Sequence, residues 1–244
     1  MIRIIDTYPQ IASLFVGGCF SIERWEAYID SAYKGSAELF KKDMQECLDG
    51  GYSYEKDFLP VLNAVCGHES LETLHTSFLR TTDGLDEKIA ACFGGGLDVD
   101  IVLYVGLCNG AGWVTRIHER DVILLGVEKI LELGWFDMDA MCGLIDHELG
   151  HVYHRQNGAF DQQAHGANSF IRQLFIEGVA MVFEQELVGS DNYFHQNKNG
   201  WLDWCEAHFN RILTDFHADL PTMTRFTQRY FGDWVSYCGR GDVG

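Results

Sequence analysis

Residues 137–158 constrain this chain more than any other segment, because they read as one long helix carrying two histidines on a single face. His147-Glu148-Leu149-Gly150-His151 is an H-E-x-x-H motif. Four residues turn an α-helix by about 400°, so His147 and His151 project side by side. Asp137, following Gly134-Trp135-Phe136, suits the helix N-cap. Asn157-Gly158 supplies a stop at the other end. Between them Met138, Met141, Cys142, Ile145, Leu149 and Val152 recur at helical spacing. This apolar stripe packs the helix into a core, while the polar face opens on something else.

Two imidazoles one turn apart can share a single zinc ion. Glu148, between them, projects to the side, where it can reach a water but is badly placed to bind the metal. A catalytic zinc takes three protein ligands and keeps one position for water. The metzincin pattern, H-E-x-x-H-x-x-G-x-x-H, does not supply the third: His154 stands where its glycine belongs and Asn157 where its histidine belongs. The other solution takes a glutamate from a second helix. Glu177 is the lone charge in an apolar run from Leu174 to Val182, and a buried carboxylate must be paired or bound to metal. Its pair could be a structural arginine such as Arg172. Gly178, beside it, would let a neighbouring backbone approach closely. Glu184, seven residues on, shares its helix face and is either a group that orients a ligand histidine or a solvated end of the run. His154 reads as a substrate contact or as a surface histidine beside Arg155.

H-E-L-G-H followed, 26 residues after its last histidine, by Ile176-Glu177-Gly178-Val179-Ala180 resembles the gluzincin metallopeptidases. Within them it is most similar to predicted zinc-dependent proteases with a helical E-G-x-A signature. The resemblance rests on residues 137–187, about a fifth of the chain. It implies one zinc ion, with His147, His151 and Glu177 as ligands and Glu148 as general base. Thermolysin-like gluzincins carry an asparagine, a small residue and a tryptophan on the strand before the motif helix. Asn109 and Trp113 stand in that region with one residue more between them, and are candidates for substrate binding; the alternative is a glycine-rich hairpin connection.

Composition narrows the partners. The formal charge is −18, which argues against nucleic acid and against an anionic membrane surface. No stretch of about 18 apolar residues is present, so no transmembrane helix is expected. The N-terminus lacks a convincing secretory leader, since Asp6 and Pro9 interrupt its apolar run. The eight cysteines are scattered with no C-x-x-C pair, the usage of buried free thiols in a reducing compartment, and a cytoplasmic location is expected. Oligomeric state is not legible.

The expected fold is α+β and predominantly helical, a zincin-like catalytic lobe with a small sheet preceding the motif helix. Residues 1–96 read as an N-terminal helical segment, with helices over 22–49, 55–66, 68–80 and 85–93. Residues 97–244 read as the catalytic region, forming one compact unit with the first. Within it 100–108 and 122–127 are expected strands. Asn109-Gly110-Ala111-Gly112 reads as a turn or irregular edge, and an edge strand here could hold an extended peptide. Residues 162–166 form a loop, the Glu177 helix runs from near Asn168 to Gly189, and helices follow over 200–216 and 222–238. Arg240-Gly241-Asp242 spells an integrin-type tripeptide by chance, and the resemblance implies a further helical stretch after Gly244.

The expected activity is a zinc-dependent hydrolase, foremost a peptidase acting through water with Glu148 as general base. A hydrolase of a small amide or ester and a non-catalytic binding protein on the same fold are the alternatives. Peptide or small amide is the expected substrate, with no nucleic-acid or membrane partner. His217, Arg229, Tyr230 and Tyr237 are candidates to stabilise an oxyanion.

Overall fold

The structure is a computed structural model that describes residues 1–158, 167–195, 197, 200–224, 227–231, 236–238 and 240–241. The expected loop at 162–166 and the last residue of the Arg240-Gly241-Asp242 tripeptide lie outside them. The fold is α+β, mostly helical, with a small mixed sheet. Its strands are β1 (Ile2–Asp6), β4 (Val99–Tyr104), β5 (Gly112–Ile117) and β6 (Arg120–Gly126), in the order β1-β4-β6-β5. The first three neighbours run parallel, and β5 lies antiparallel on the outer edge. A short hairpin, β2 (Phe15–Val16) and β3 (Cys19–Phe20), follows β1.

β4 is buried at every position and β6 at all but its first, so both read as continuous apolar runs. Asp121 of β6 and Asp100, the second residue of β4, are the buried acids in these runs, and Asp100 is the fully buried one. Its carboxylate is reached by the guanidiniums of Arg3 and Arg120 and, at 2.9 Å, by the Tyr33 hydroxyl. Three donors from three elements thus tie β1 and β6 to β4.

Two expectations for the N-terminal segment change. Residues 1–96 are not wholly helical, since Ile2–Asp6 pairs with β4 as an edge strand. The helix expected over 22–49 is two helices, α1 (Ile22–Ala32) and α2 (Ala37–Asp49). Gly35, at φ +76°, turns the chain between them. The 55–66 segment is a single π turn over Tyr54–Phe58 leading into α3 (Leu59–Ala64). Helices α4 (Leu71–Thr82) and α5 (Leu85–Phe93) match their expected positions, α5 closing on Gly94 at φ +73°.

After β6 come α6 (Val127–Leu133), the motif helix α7 (Met138–Asn157), α8 (Ala167–Val188) and α9 (Trp201–Asp219). The helix expected over 222–238 is absent among the described residues there; Ser236–Tyr237 and Arg240–Gly241 form a short antiparallel pair, β7 and β8. One hydrophobic core extends from Ile11 to Leu187 and includes Trp25, Phe40, Tyr104, Ile145 and Leu149. A second, smaller cluster gathers Phe216, Tyr230, Phe231 and Tyr237.

All eight cysteines are free, as expected, but none is buried: Cys19, Cys66, Cys92 and Cys238 are exposed and the others half-buried. No helix among the described residues is long and apolar enough to cross a membrane.

Candidate metal centre

Asp137 caps α7, its carboxylate accepting the Ala140 N–H at 2.9 Å. The helix then runs without a break through the motif. α8 packs along it, and the two cross where both sequences are small. A Cβ on Gly150 would lie 2.7 Å from the Ala180 Cα and 3.0 Å from its carbonyl oxygen. Gly150 belongs to the H-E-x-x-H segment and Ala180 ends the E-G-V-A segment, so the contact joins the two motifs. The close approach foreseen at Gly178 occurs at Gly150 instead; nothing lies within 4 Å of where a Gly178 side chain would start.

This crossing brings Glu177 over the two histidines. Its Oε2 lies 3.2 Å from His147 Nε2 and 3.5 Å from His151 Nε2. Glu177 therefore spends its charge on the histidines, the alternative to an ion pair with Arg172. All three side chains keep partial exposure. Ligand atoms about 2.0–2.1 Å from a tetrahedral zinc stand about 3.3 Å apart. The two spacings bracket that value. Two imidazole nitrogens and one carboxylate oxygen are also a donor set suited to zinc. The three residues present fit such an ion.

Burial alone would lower the pKa of His147, but the neighbouring carboxylates of Glu177 and Glu184 outweigh it and push the imidazole up to about 10. Burial alone would raise Glu177, but hydrogen bonds from His147 and His151 hold it well below the usual carboxylate range. Both shifts favour the charged forms, an imidazolium beside a carboxylate, and a bound cation would compete with the proton for the imidazole.

Glu148 is buried and faces the sheet. A Cβ on Gly112, the first residue of β5, would lie 2.8 Å from its Oε1 and 2.9 Å from its Cγ. Burial raises the Glu148 carboxyl, with the charges of His151 and His147 pulling the other way. That environment suits a group that must both take and return a proton.

Glu184 is fully buried, so its reading as a solvated residue is overturned. Its Oε2 lies 3.8 Å from His147 Nδ1, while Oε1 accepts the backbone N–H of His195 at 2.9 Å and engages His195 Nδ1 at 2.9 Å. The His147 ring thus lies between two glutamates of α8, hydrogen-bonded to Glu177 at Nε2 and at ion-pair distance from Glu184 at Nδ1. His195 carries no periodicity or motif in the sequence that would have singled it out.

The remaining candidates lie elsewhere. His154 is buried rather than at the surface, its ring edge-on to Phe175 at 5.4 Å between centroids. Its imidazole is lowered by burial and by the charges of His151 and Arg172. Asn109 is occupied in shaping its own loop: Oδ1 accepts the Leu107 N–H at 3.2 Å and Nδ2 donates to the Phe40 carbonyl at 3.1 Å. Trp113 donates to the Tyr104 hydroxyl at 3.1 Å and packs on Phe40. It points to the opposite face of β5 from Gly112, toward α2 and away from Glu148. Among the oxyanion candidates, Tyr237 donates to Asp215, and Arg229 and Tyr230 to Asp219. All three are engaged with acids of α9, and His217 is exposed on that helix.

No protein-family model, curated protein sequence or solved structure matches this chain.

Proposed function

We propose that this protein is a zinc-dependent hydrolase that acts on peptides. The carrying observation is that Glu177 Oε2 lies 3.2 Å from His147 Nε2 and 3.5 Å from His151 Nε2, about the spacing of ligands around one tetrahedral zinc, with ligand atoms of all three residues within 4.8 Å of one another. Zinc bound there would supply Lewis-acid polarisation of the scissile carbonyl and a water of lowered pKa. Glu148, buried beside Gly112, would be the residue that accepts a proton from water and returns it to the leaving amine. Glu184 lies at ion-pair distance on the Nδ1 side of His147, while Nε2 faces Glu177.

The peptide reading rests on the sheet. β5 is the outer strand, its far edge unpaired among the described strands, and its first residue abuts Glu148. An extended peptide added along that edge would bring its backbone to the general base. A cytoplasmic location fits the eight free thiols, four of them exposed.

The test is metal content after purification without added metal, followed by hydrolysis of a peptide library by the parent and by Glu148→Gln. One zinc per chain in both proteins, with cleavage by the parent alone, is the expected result. A parent that takes up no zinc even when it is offered overturns the metal reading. Cleavage retained in Glu148→Gln overturns the general-base assignment, and hydrolysis confined to small amides or esters replaces the peptide reading.

A further inference from the structure

We infer that His195 is a positioning residue: it locks the Glu184 carboxylate so that Glu184 in turn fixes the ring of His147. The inference rests on the zinc-site reading above, since its consequence is read at a ligand of that site.

Glu184 is a fully buried carboxylate and needs hydrogen-bond partners to remain ionised there. His195 supplies two to a single oxygen, its backbone N–H and its Nδ1–H, both at 2.9 Å from Oε1. One residue gripping one oxygen from two directions sets the roll of the carboxylate about its own axis. The second oxygen, Oε2, is then committed to the His147 side, 3.8 Å from Nδ1. At that distance the two atoms do not hydrogen bond, and both are buried without a hydrogen-bond partner, so a slight rotation of either group would pair them.

The chain goes to some length to place His195 there. α8 ends at Val188, and Gly189 at φ +73° reverses the backbone. Gln185 donates from its side chain to the Tyr193 carbonyl at 3.1 Å, pinning the returning segment against the helix it has just left. The His195 ring then packs edge-on to Trp135 and Phe194, with centroids 5.9 and 5.2 Å away. Gly143 makes the space: a Cβ on it would fall onto the His195 Cβ and within 3.1 Å of Glu184 Oε1. Gly143 lies one helical turn before His147, so the vacancy is placed directly beside the ligand.

The test compares the parent with His195→Ala, His195→Phe and His195→Asn. Alanine and phenylalanine remove the Nδ1 donor while leaving a cavity or filling it, so whichever of them folds serves. Asparagine restores an N–H donor close to the imidazole Nδ1 position. Two quantities are read: zinc affinity by competition with a chelator, and solvent exchange of the His147 Nδ1–H proton by NMR in the metal-free protein. We expect about 10-fold weaker zinc binding and faster exchange in the donor-less variants, with both recovered in His195→Asn. An unchanged Nδ1–H proton and unchanged affinity in a folded donor-less variant overturn the inference. So does a second zinc per chain that disappears with His195, because His195 would then be a ligand. If the parent binds no zinc, the metal reading fails on its own and the metal-free NMR comparison still decides the role of His195.

Discussion

Gly150 of α7 and Ala180 of α8 touch backbone to backbone, and this contact sets the distance at which Glu177 meets His147 and His151. The site is therefore assembled by the absence of side chains as much as by the presence of ligands. Gly150→Ala would place a methyl 2.7 Å from the Ala180 Cα, and backbone there cannot move without moving the helix. Overpacking of this kind costs about 1–3 kcal/mol. Urea unfolding should show that loss, and zinc affinity should fall with it because the two halves of the donor set separate. A variant as stable as the parent with full zinc affinity would show that α8 is not held in place by this contact.

Gly112 has a comparable role on the other side of Glu148. A methyl there meets Glu148 Oε1, Glu148 Cγ and the Leu144 side chain at 2.8–2.9 Å. The base must shift, whereas the three candidate ligands are untouched. Gly112→Ala is expected to leave zinc content at the parent value while lowering kcat by about 100-fold, the effect of misplacing a reacting group by about 1 Å. Equal losses of zinc and of activity would place Gly112 in the general packing of α7 instead.

Much of this arrangement was legible in the sequence. The caps of α7, the helical spacing of its histidines and the isolation of Glu177 in an apolar run all lead directly to the cluster. What escaped was carried by residues without a local signature. Beyond the turn or irregular edge expected at Asn109–Gly112, β5 is given no bounds by the sequence, because its hairpin to β6 closes on His118-Glu119, both at positive φ, where Asn-Gly or Gly-Gly would be the recognisable pair. The break between α1 and α2 hides in a pattern that stays amphipathic on both sides of Gly35. Asn109 and Trp113 match a substrate-binding pattern by type, yet their hydrogen bonds serve the loop and the core. His195 is brought to Glu184 by a backbone reversal, and no periodicity reports such a contact.

The buried Asp100 makes stability fall in acid. Burial alone would raise its pKa, but hydrogen bonds from Arg3, Arg120 and Tyr33 hold it below the ordinary value. A carboxylate depressed in the folded state contributes stability that is present above its unfolded pKa of about 3.9 and lost as pH falls through the folded value. Asp100→Asn should cost about 3 kcal/mol near neutrality, toward the lower end for a broken buried pair because Arg3 is largely exposed. The same variant should lose less than the parent between pH 4 and pH 2. Parallel stability curves for the two proteins over that range would remove Asp100 from the acid transition.

Removing zinc tests the donor set without any appeal to turnover. A ion that binds only the folded chain stabilises it by mass action, by about 4 kcal/mol when free zinc stands 1,000-fold above its dissociation constant. In the metal-free protein the His147 Nε2–Glu177 Oε2 hydrogen bond and the packing of α7 on α8 remain, so the fold should survive chelation with a lower Tm instead of collapsing. Glu177→Ala removes one of the three donors and leaves His147 without its Nε2 partner. Its Tm should therefore be low with or without zinc, and the zinc-dependent shift seen in the parent should be absent. A full shift retained in Glu177→Ala would mean that the histidines hold the metal with a different third ligand, and would detach α8 from the site.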